Sequence, residues 1–458
     1  MNRAVETIKP VRGRNIELVL TLLAIVVVVV AYTNVAVATS GEVPPDLLWH
    51  TGLLSAIAIG VHLVLRWRSS FADPLILPIV TLLNGIGLVM LHRLDIAQGK
   101  DFSEGDALRQ LVWTALGVAM ALAVIMLLRD HRVLRGYTYT CGALALVFLA
   151  LPLSPLGTSV YGARIWIALG PFTFQPAEVA KIMLAIFFAG YLVQTRDLLA
   201  LAGRKFLGMT FPRMRDLGPL LVAWVAAALV LVLENDFGTT LLIFGLFVAM
   251  LYVATERTSW IVLGLGLAAA GAYIVYQFAD HVQTRVLCWT DTFSDKGMEQ
   301  CGQLATGIMG MAAGGLSGTG LGRGRPWLTP LPKSDFIFTS IAEELGLIGV
   351  IAIILLYVLL IERGLRSAIG LRDGFGKLLA TGLTFALAIQ VFVVIGGVTR
   401  VIPLTGLTLP FLAYGGSSLL MNWILIALLL RISDHARRPD PEFDPASMDA
   451  PTEMVKGR

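Results

Sequence analysis

Runs of about 20 apolar residues recur along this chain, separated by short polar connections. Each run matches the length a helix needs to cross a bilayer core. The pattern predicts spans at residues 16–38, 47–66, 73–92, 108–128, 137–153, 172–193, 217–234, 238–254, 260–279, 336–361, 376–397 and 407–431. The expected fold is therefore an all-α polytopic membrane protein of about twelve transmembrane helices. The first run follows Arg3, Lys9, Arg12 and Arg14 like a signal peptide, but it is longer than an h-region and a second span follows at once, so it reads as a retained helix.

Composition agrees. Hydrophobic residues make up 56% and charged residues 14%, whereas soluble domains carry about 25% charged residues. The net charge of +4 comes from arginines gathered in alternate connections: Arg66 and Arg68, residues 129–135, 196–215 and 363–377, and Arg431, Arg437 and Arg438. By the positive-inside rule these share the cytoplasmic side, with both termini there. No basic stripe with interleaved aromatics points to nucleic acid. The stretch 435–458 reads as a disordered cytoplasmic tail.

The opposite side carries one connection too long for a plain turn, residues 280–335. It holds Cys288 and Cys301, which an oxidising compartment allows to pair or to remain separate thiols. Its glycine run at 314–324, with Arg323 and Arg325, suits either a phosphate cradle or a re-entrant turn. At its end Asp335 stands at the mouth of an apolar helix, where Ser334 and Asp335 resemble an N-cap pair. Thr339 and Glu343 continue a polar stripe from Asp335 at helical spacing. Ionisable groups at such depth are expensive and mark function. Glu178 and Lys181, three apart, can pair. Asp236 lies in a turn, and Arg164 and Arg400 add cations on the same side. No nucleotide loop, H-E-x-x-H or paired C-x-x-C occurs, and the six histidines show no ligand spacing.

Four segments sharpen this picture: GARIWIALGPFTFQPAEVAK at 162–181, NDFGTTL at 235–241, SDFIFTSIAEELGLIG at 334–349 and PLTGLTLPFLAYGGSSLL at 403–420. In this order the chain resembles the SEDS family, the RodA/FtsW peptidoglycan glycosyltransferases, from about Phe71 to Ile432, with features of its actinobacterial members. The resemblance implies a ten-helix core over 71–434, with 1–70 contributing the N-terminus and two extra helices. It implies polymerisation of lipid II at the outer leaflet of the bacterial plasma membrane, in elongation or division, with lipid II flipping as the alternative. A class B penicillin-binding protein is the implied partner, together with membrane lipids. The essential acid of the family falls on Asp335, as general base or as ligand of a divalent cation, magnesium or manganese. Arg164, Glu178, Lys181, Asp236, Lys333, Glu343, Arg400, Ser417 and Ser418 are the expected substrate contacts. The chain departs from its relatives at Asn235 in place of proline, Trp327 in place of glutamate and Thr405 in place of lysine; Lys333, Arg400 or Arg323 is expected to supply the missing cation.

Overall fold

A computed structural model describes residues 13–42, 47–100, 104–160, 163–170, 172–201, 203–206, 209–212 and 214–439. The basic leader before residue 13 and the expected tail from residue 440 lie outside the described residues. Two helices, α1 (Arg14–Ser40) and α2 (Leu47–Arg68), precede α3 (Ile76–Ala97), α4 (Asp106–Leu127) and α5 (Thr138–Ala150). A small antiparallel sheet, β1 (Gly157–Val160), β2 (Ala163–Leu169) and β3 (Phe172–Phe174), leads into α6 (Pro176–Leu201), which starts on a proline as first helical turns allow. The hairpin β4 (Gly203–Phe206) and β5 (Met209–Pro212) connects to α7 (Met214–Leu233), α8 (Phe237–Thr255) and α9 (Ser259–Phe278). The long connection then forms α10 (Asp280–Thr290), α11 (Asp295–Gln300) and α12 (Gly302–Gly314) before α13 (Ile337–Gly370), α14 (Gly374–Val398) and α15 (Gly416–Arg437).

Ten helical stretches among the described residues are long and apolar enough to cross a membrane, so the protein is a multi-pass membrane protein. Twelve is not reached. Helix α2 is outside that set, and α7 contributes only the shorter apolar stretch Leu221–Leu233. Two boundaries also move. Residues 172–174 are strand rather than helix, and the segment predicted to begin a span at 407 stays irregular until Gly416. Residues 435–437, expected in the tail, instead continue α15 through Arg437.

Helices α3, α6, α14 and α15 bury most of their length, whereas α9 buries almost none and faces lipid. The N-terminal pair docks on this core through α1 and α3, with Val28, Tyr32 and Val35 against Leu88 and Val89. Its buried charges pair with one another, since Glu17 accepts from Arg14 and contacts His62 at 2.7 Å.

Helix α13 is broken near its start by Gly346, at φ 67° and ψ −171°. A break at this depth frees backbone groups that lipid cannot satisfy. The glycine run supplies the missing partners: Thr319 and Gly320 N–H groups donate to the Glu343 and Glu344 carbonyls at 3.0 Å, and Leu347 and Ile348 N–H groups donate to Gly315 and Leu316 at 3.0 and 3.1 Å. Only glycine permits this approach, because a Cβ on Gly318 would stand 2.2 Å from the Glu344 carbonyl oxygen. The run is thus a re-entrant backbone plug for a broken helix.

Candidate functional site

Asp335 occupies a tight turn that ends at α13. The Leu331 carbonyl accepts from both Ser334 and Phe336 N–H groups at 3.3 Å, and Leu331 itself adopts a left-handed φ of 53°. Helix α13 begins two residues later, at Ile337, with no side-chain cap. Asp335 is therefore not the N-cap its sequence context suggested, and its carboxylate is not spent on capping. One oxygen lies 3.9 Å from where a Cβ on Gly406 would sit, so Asp335 faces the irregular 403–415 segment. Burial raises its pKa above the usual carboxylate range, while a hydrogen bond with the Ser334 side chain and the charge of Arg285 pull it back.

Arg285 was not among the expected site residues. It lies on α10, donates to the Thr405 carbonyl at 3.2 Å and acts electrostatically on both Asp335 and Asp236. A guanidinium thus stands beside the position at which relatives carry lysine. Helix α10 is tied in place at its far end: Cys288 and Cys301 form a disulfide with Cα atoms 5.3 Å apart, and Arg400 donates to the Trp289 and Thr290 carbonyls at 2.8 to 3.1 Å. The one sequence cue to Arg285 was a basic residue on the side that positive charge normally avoids.

The other expected residues divide into two groups. Asp236 caps α8, accepting from the Thr239 N–H at 2.9 Å and hydroxyl at 2.6 Å, and burial raises its pKa against these bonds and Arg285. Next to it Glu234 is 1% exposed, with one carboxyl oxygen lacking a partner among the described residues; burial and the Asp236 charge push it up to about 8. Glu178 and Lys181 pair at 2.7 Å, and Lys181 also donates to Gln390 at 2.8 Å. Gln390 in turn donates to the Thr408 carbonyl at 2.9 Å, so this buried pair braces the segment facing Asp335.

Lys333 is consumed by structure. Its ammonium sits 2.6 Å from both Asp95 and Asp106 and 2.8 Å from Gln98, while its carbonyl accepts from the Tyr414 N–H at 2.8 Å. Arg164 is exposed and donates to the Ser154 carbonyl at 2.8 Å. Ser417 accepts from the Gln175 N–H at 3.1 Å, and Ser418 from the Asn422 amide at 3.2 Å. Glu343 reaches a cavity of about 430 Å³ lined also by Arg323, Arg325, Thr306 and Thr319, where it accepts from the Arg325 N–H at 2.6 Å. Its neighbour Glu344 is taken up by Arg93 at 3.0 Å. Neither Lys333 nor Arg400 is a spare cation, and Arg323 faces the cavity rather than Asp335.

Among the described residues, Asp335 belongs to no group of three side chains that could hold a metal ion; one such group occurs elsewhere. That group is Asp130, His131 and His435, at the arginine-rich end of the bundle and separated from Asp335 by the length of α13.

Three comparisons bear on this geometry. The FtsW, RodA and SpoVE family of cell cycle proteins matches residues 74–438. The peptidoglycan glycosyltransferase RodA of Mycobacterium tuberculosis is 48% identical over 430 residues, covering 93% of this chain and 92% of its own. Stage V sporulation protein E of Bacillus subtilis is 33% identical over 81% of this chain and 99% of its own. Among solved structures, a chain from a study of polymerization and crosslinking by a peptidoglycan synthase complex aligns with TM-score 0.65 and 27% identity, over 81% of this chain and 99% of that one. The rod shape determining protein RodA of Thermus thermophilus aligns with TM-score 0.57 and 25% identity, over 81% of this chain and 98% of that one. The aligned span takes in Asp335, Arg285 and the broken helix together, and the chain belongs to the FtsW, RodA and SpoVE family, close to the mycobacterial RodA proteins.

Proposed function

We infer that this protein is a peptidoglycan glycosyltransferase of the plasma membrane that polymerises lipid II, with Asp335 as its general base. The observation that carries the assignment of the base is a carboxylate released from capping, raised in pKa by burial and set beside one guanidinium. A base works best when its pKa approaches the operating pH, because it is then both ionised and a competent proton acceptor. Asp335 takes the proton of the acceptor sugar's 4-hydroxyl as that oxygen bonds to the anomeric carbon of the donor. The bond from that carbon to the pyrophosphate breaks, and Arg285 stabilises the charge left on the departing phosphate. Pyrophosphate leaves without a proton, so the second carboxylic acid of a glycosidase is not needed.

The arginine-rich end is cytoplasmic in this reading, with both termini, and Asp335 faces the outer leaflet where lipid II is presented. The likeness to a chain of a synthase complex supports a crosslinking partner, read here as a class B penicillin-binding protein. A magnesium or manganese ion at Asp335 suits the same chemistry, since such ions bind through one or two carboxylates and substrate phosphates. Asp335 belongs to no three-ligand group among the described residues, so substrate phosphates would supply most of the remaining ligands.

The test is glycan polymerisation from lipid II by purified protein with its partner. Asp335→Asn should lower the rate by about 100-fold or more while leaving folding and partner binding intact, and the wild-type rate should fall on the acid side as Asp335 becomes protonated. Polymerisation at the wild-type rate by the Asp335→Asn protein would refute this role.

A further inference from the structure

At the end of the bundle away from Asp335, His131 is wholly buried in the connection between α4 and α5. Its Nε2 faces the Asp373 carboxylate at 3.2 and 3.3 Å. That contact occupies Nε2 and fixes the ring, leaving Nδ1 as its remaining nitrogen. Nδ1 has no hydrogen-bond partner among the described residues and points at the Asp130 carboxylate, 3.6 Å away. The distance is too long for a hydrogen bond, so a buried ring nitrogen and a carboxylate face each other without a bond between them.

His435, near the end of α15, completes the arrangement from a distant part of the chain. Its Nδ1–H donates to the Arg431 carbonyl at 3.1 Å, which leaves Nε2 as its free acceptor. The two imidazole rings lie edge to face with centroids 5.2 Å apart. A tetrahedral ion holding two imidazoles at about 2.0 to 2.1 Å brings their rings to about this spacing. The donor atoms of Asp130, His131 and His435 all fall within 4.8 Å of one another. Asp130 accepts from the Arg132 N–H at 2.9 Å through one oxygen, which leaves the other for a ligand.

Nearby cations do not fill this position. Arg438 is held by Asp434 at 2.7 Å, Arg431 is spread over the Leu128, Arg68 and Arg129 carbonyls, and Arg132 contacts Asp373 at 3.7 Å. Gly376 makes room for the orienting contact, because a Cβ there would come within 2.4 Å of His131 Nε2.

We propose that Asp130, His131 and His435 bind one divalent transition-metal ion of the zinc class, oriented by Asp373, which pins the α4–α5 connection to the end of α15. Two imidazoles and a carboxylate, each histidine with its second nitrogen occupied, form the donor set such ions prefer. Asp373 is a positioning residue in this site.

The test uses the full chain in detergent, carrying an affinity tag without histidine, stripped with chelator and titrated with zinc chloride alone. The expected result is one tightly bound zinc per chain by elemental analysis and a raised melting temperature. Both should vanish in the Asp130→Asn, His435→Gln double variant, in which the new amide oxygen can still accept from the Arg132 N–H. Asp373→Asn, which can still cap α14, should weaken zinc binding about 10- to 100-fold. Zinc uptake equal in the wild type and the double variant, or absent from both, would overturn the site and leave His131 as the partner of two carboxylates.

Discussion

Replacing Lys333 with methionine separates a structural lysine from a substrate-binding one. The substitution keeps most of the aliphatic stem and removes the ammonium that lies 2.6 Å from both Asp95 and Asp106. Two buried carboxylates are then left facing one another. Removing one partner of a buried ion pair costs about 3–5 kcal/mol. Lys100 and Arg109 remain on Asp106 at 2.8 and 3.3 Å and soften the loss, which places the expected cost near the lower end, about 3 kcal/mol. Adding Asp95→Asn removes the carboxylate left without its cation and can still accept from the Ala107 N–H, so the double variant should recover about 1–2 kcal/mol through coupling between the two sites. Unfolding followed by tryptophan fluorescence in detergent reads the stability, and lipid II polymerisation reads the function. Because the ammonium holds in place the turn whose Lys333 carbonyl accepts from the Tyr414 N–H, the turnover of Lys333→Met should fall along with its stability. Wild-type stability together with a raised KM and unchanged kcat would refute the structural role and return Lys333 to the substrate.

Two further outcomes test other parts of the structure. Glu234 has a folded pKa of about 8 against 4.5 unfolded, so the folded state holds a proton that the unfolded state releases. Stability should therefore decline as pH rises from about 4.5 to about 8, costing about 3 kcal/mol by pH 7; Glu234→Gln should abolish that slope, and parallel pH–stability curves would count against it. Gly318→Ala drives a Cβ against the Glu344 carbonyl at a φ of 81°, and should destabilise by at least about 2 kcal/mol, seen as a lower melting temperature and faster proteolysis of residues 314–324. An unchanged melting temperature would show that the plug is not tightly packed.

Much of the architecture was legible in the sequence because hydropathy is a local property. Any window of about 20 apolar residues declares itself without reference to the rest of the chain, and an isolated acid such as Asp335 stands out against it. The pairing of Glu178 with Lys181 was also within reach, since three-residue spacing on a helix brings side chains together. What failed were inferences that depend on distant partners. Lys333 looked like a cation for substrate, yet Asp95 and Asp106 come to it from α3 and α4. The Ser334–Asp335 cap looked ordinary until the Leu331 turn delayed the helix. The six histidines show no ligand spacing along the chain, yet α15 carries His435 to a ring spacing of 5.2 Å from His131 across most of the sequence.

The chain by itself therefore determined that this is a multi-pass membrane protein and singled out one acid at the mouth of a long helix. Hydrophobic length and the cost of burying charge act residue by residue. Only the tertiary structure decided which charges are spent on one another and which remain for chemistry. Arg285 acts electrostatically on Asp335 from α10, which the disulfide and Arg400 tie in place, and the glycine run closes a broken helix because Gly346 breaks it. Burying a charge requires a partner of opposite sign or a hydrogen bond, and in a helical bundle that partner usually stands on another helix.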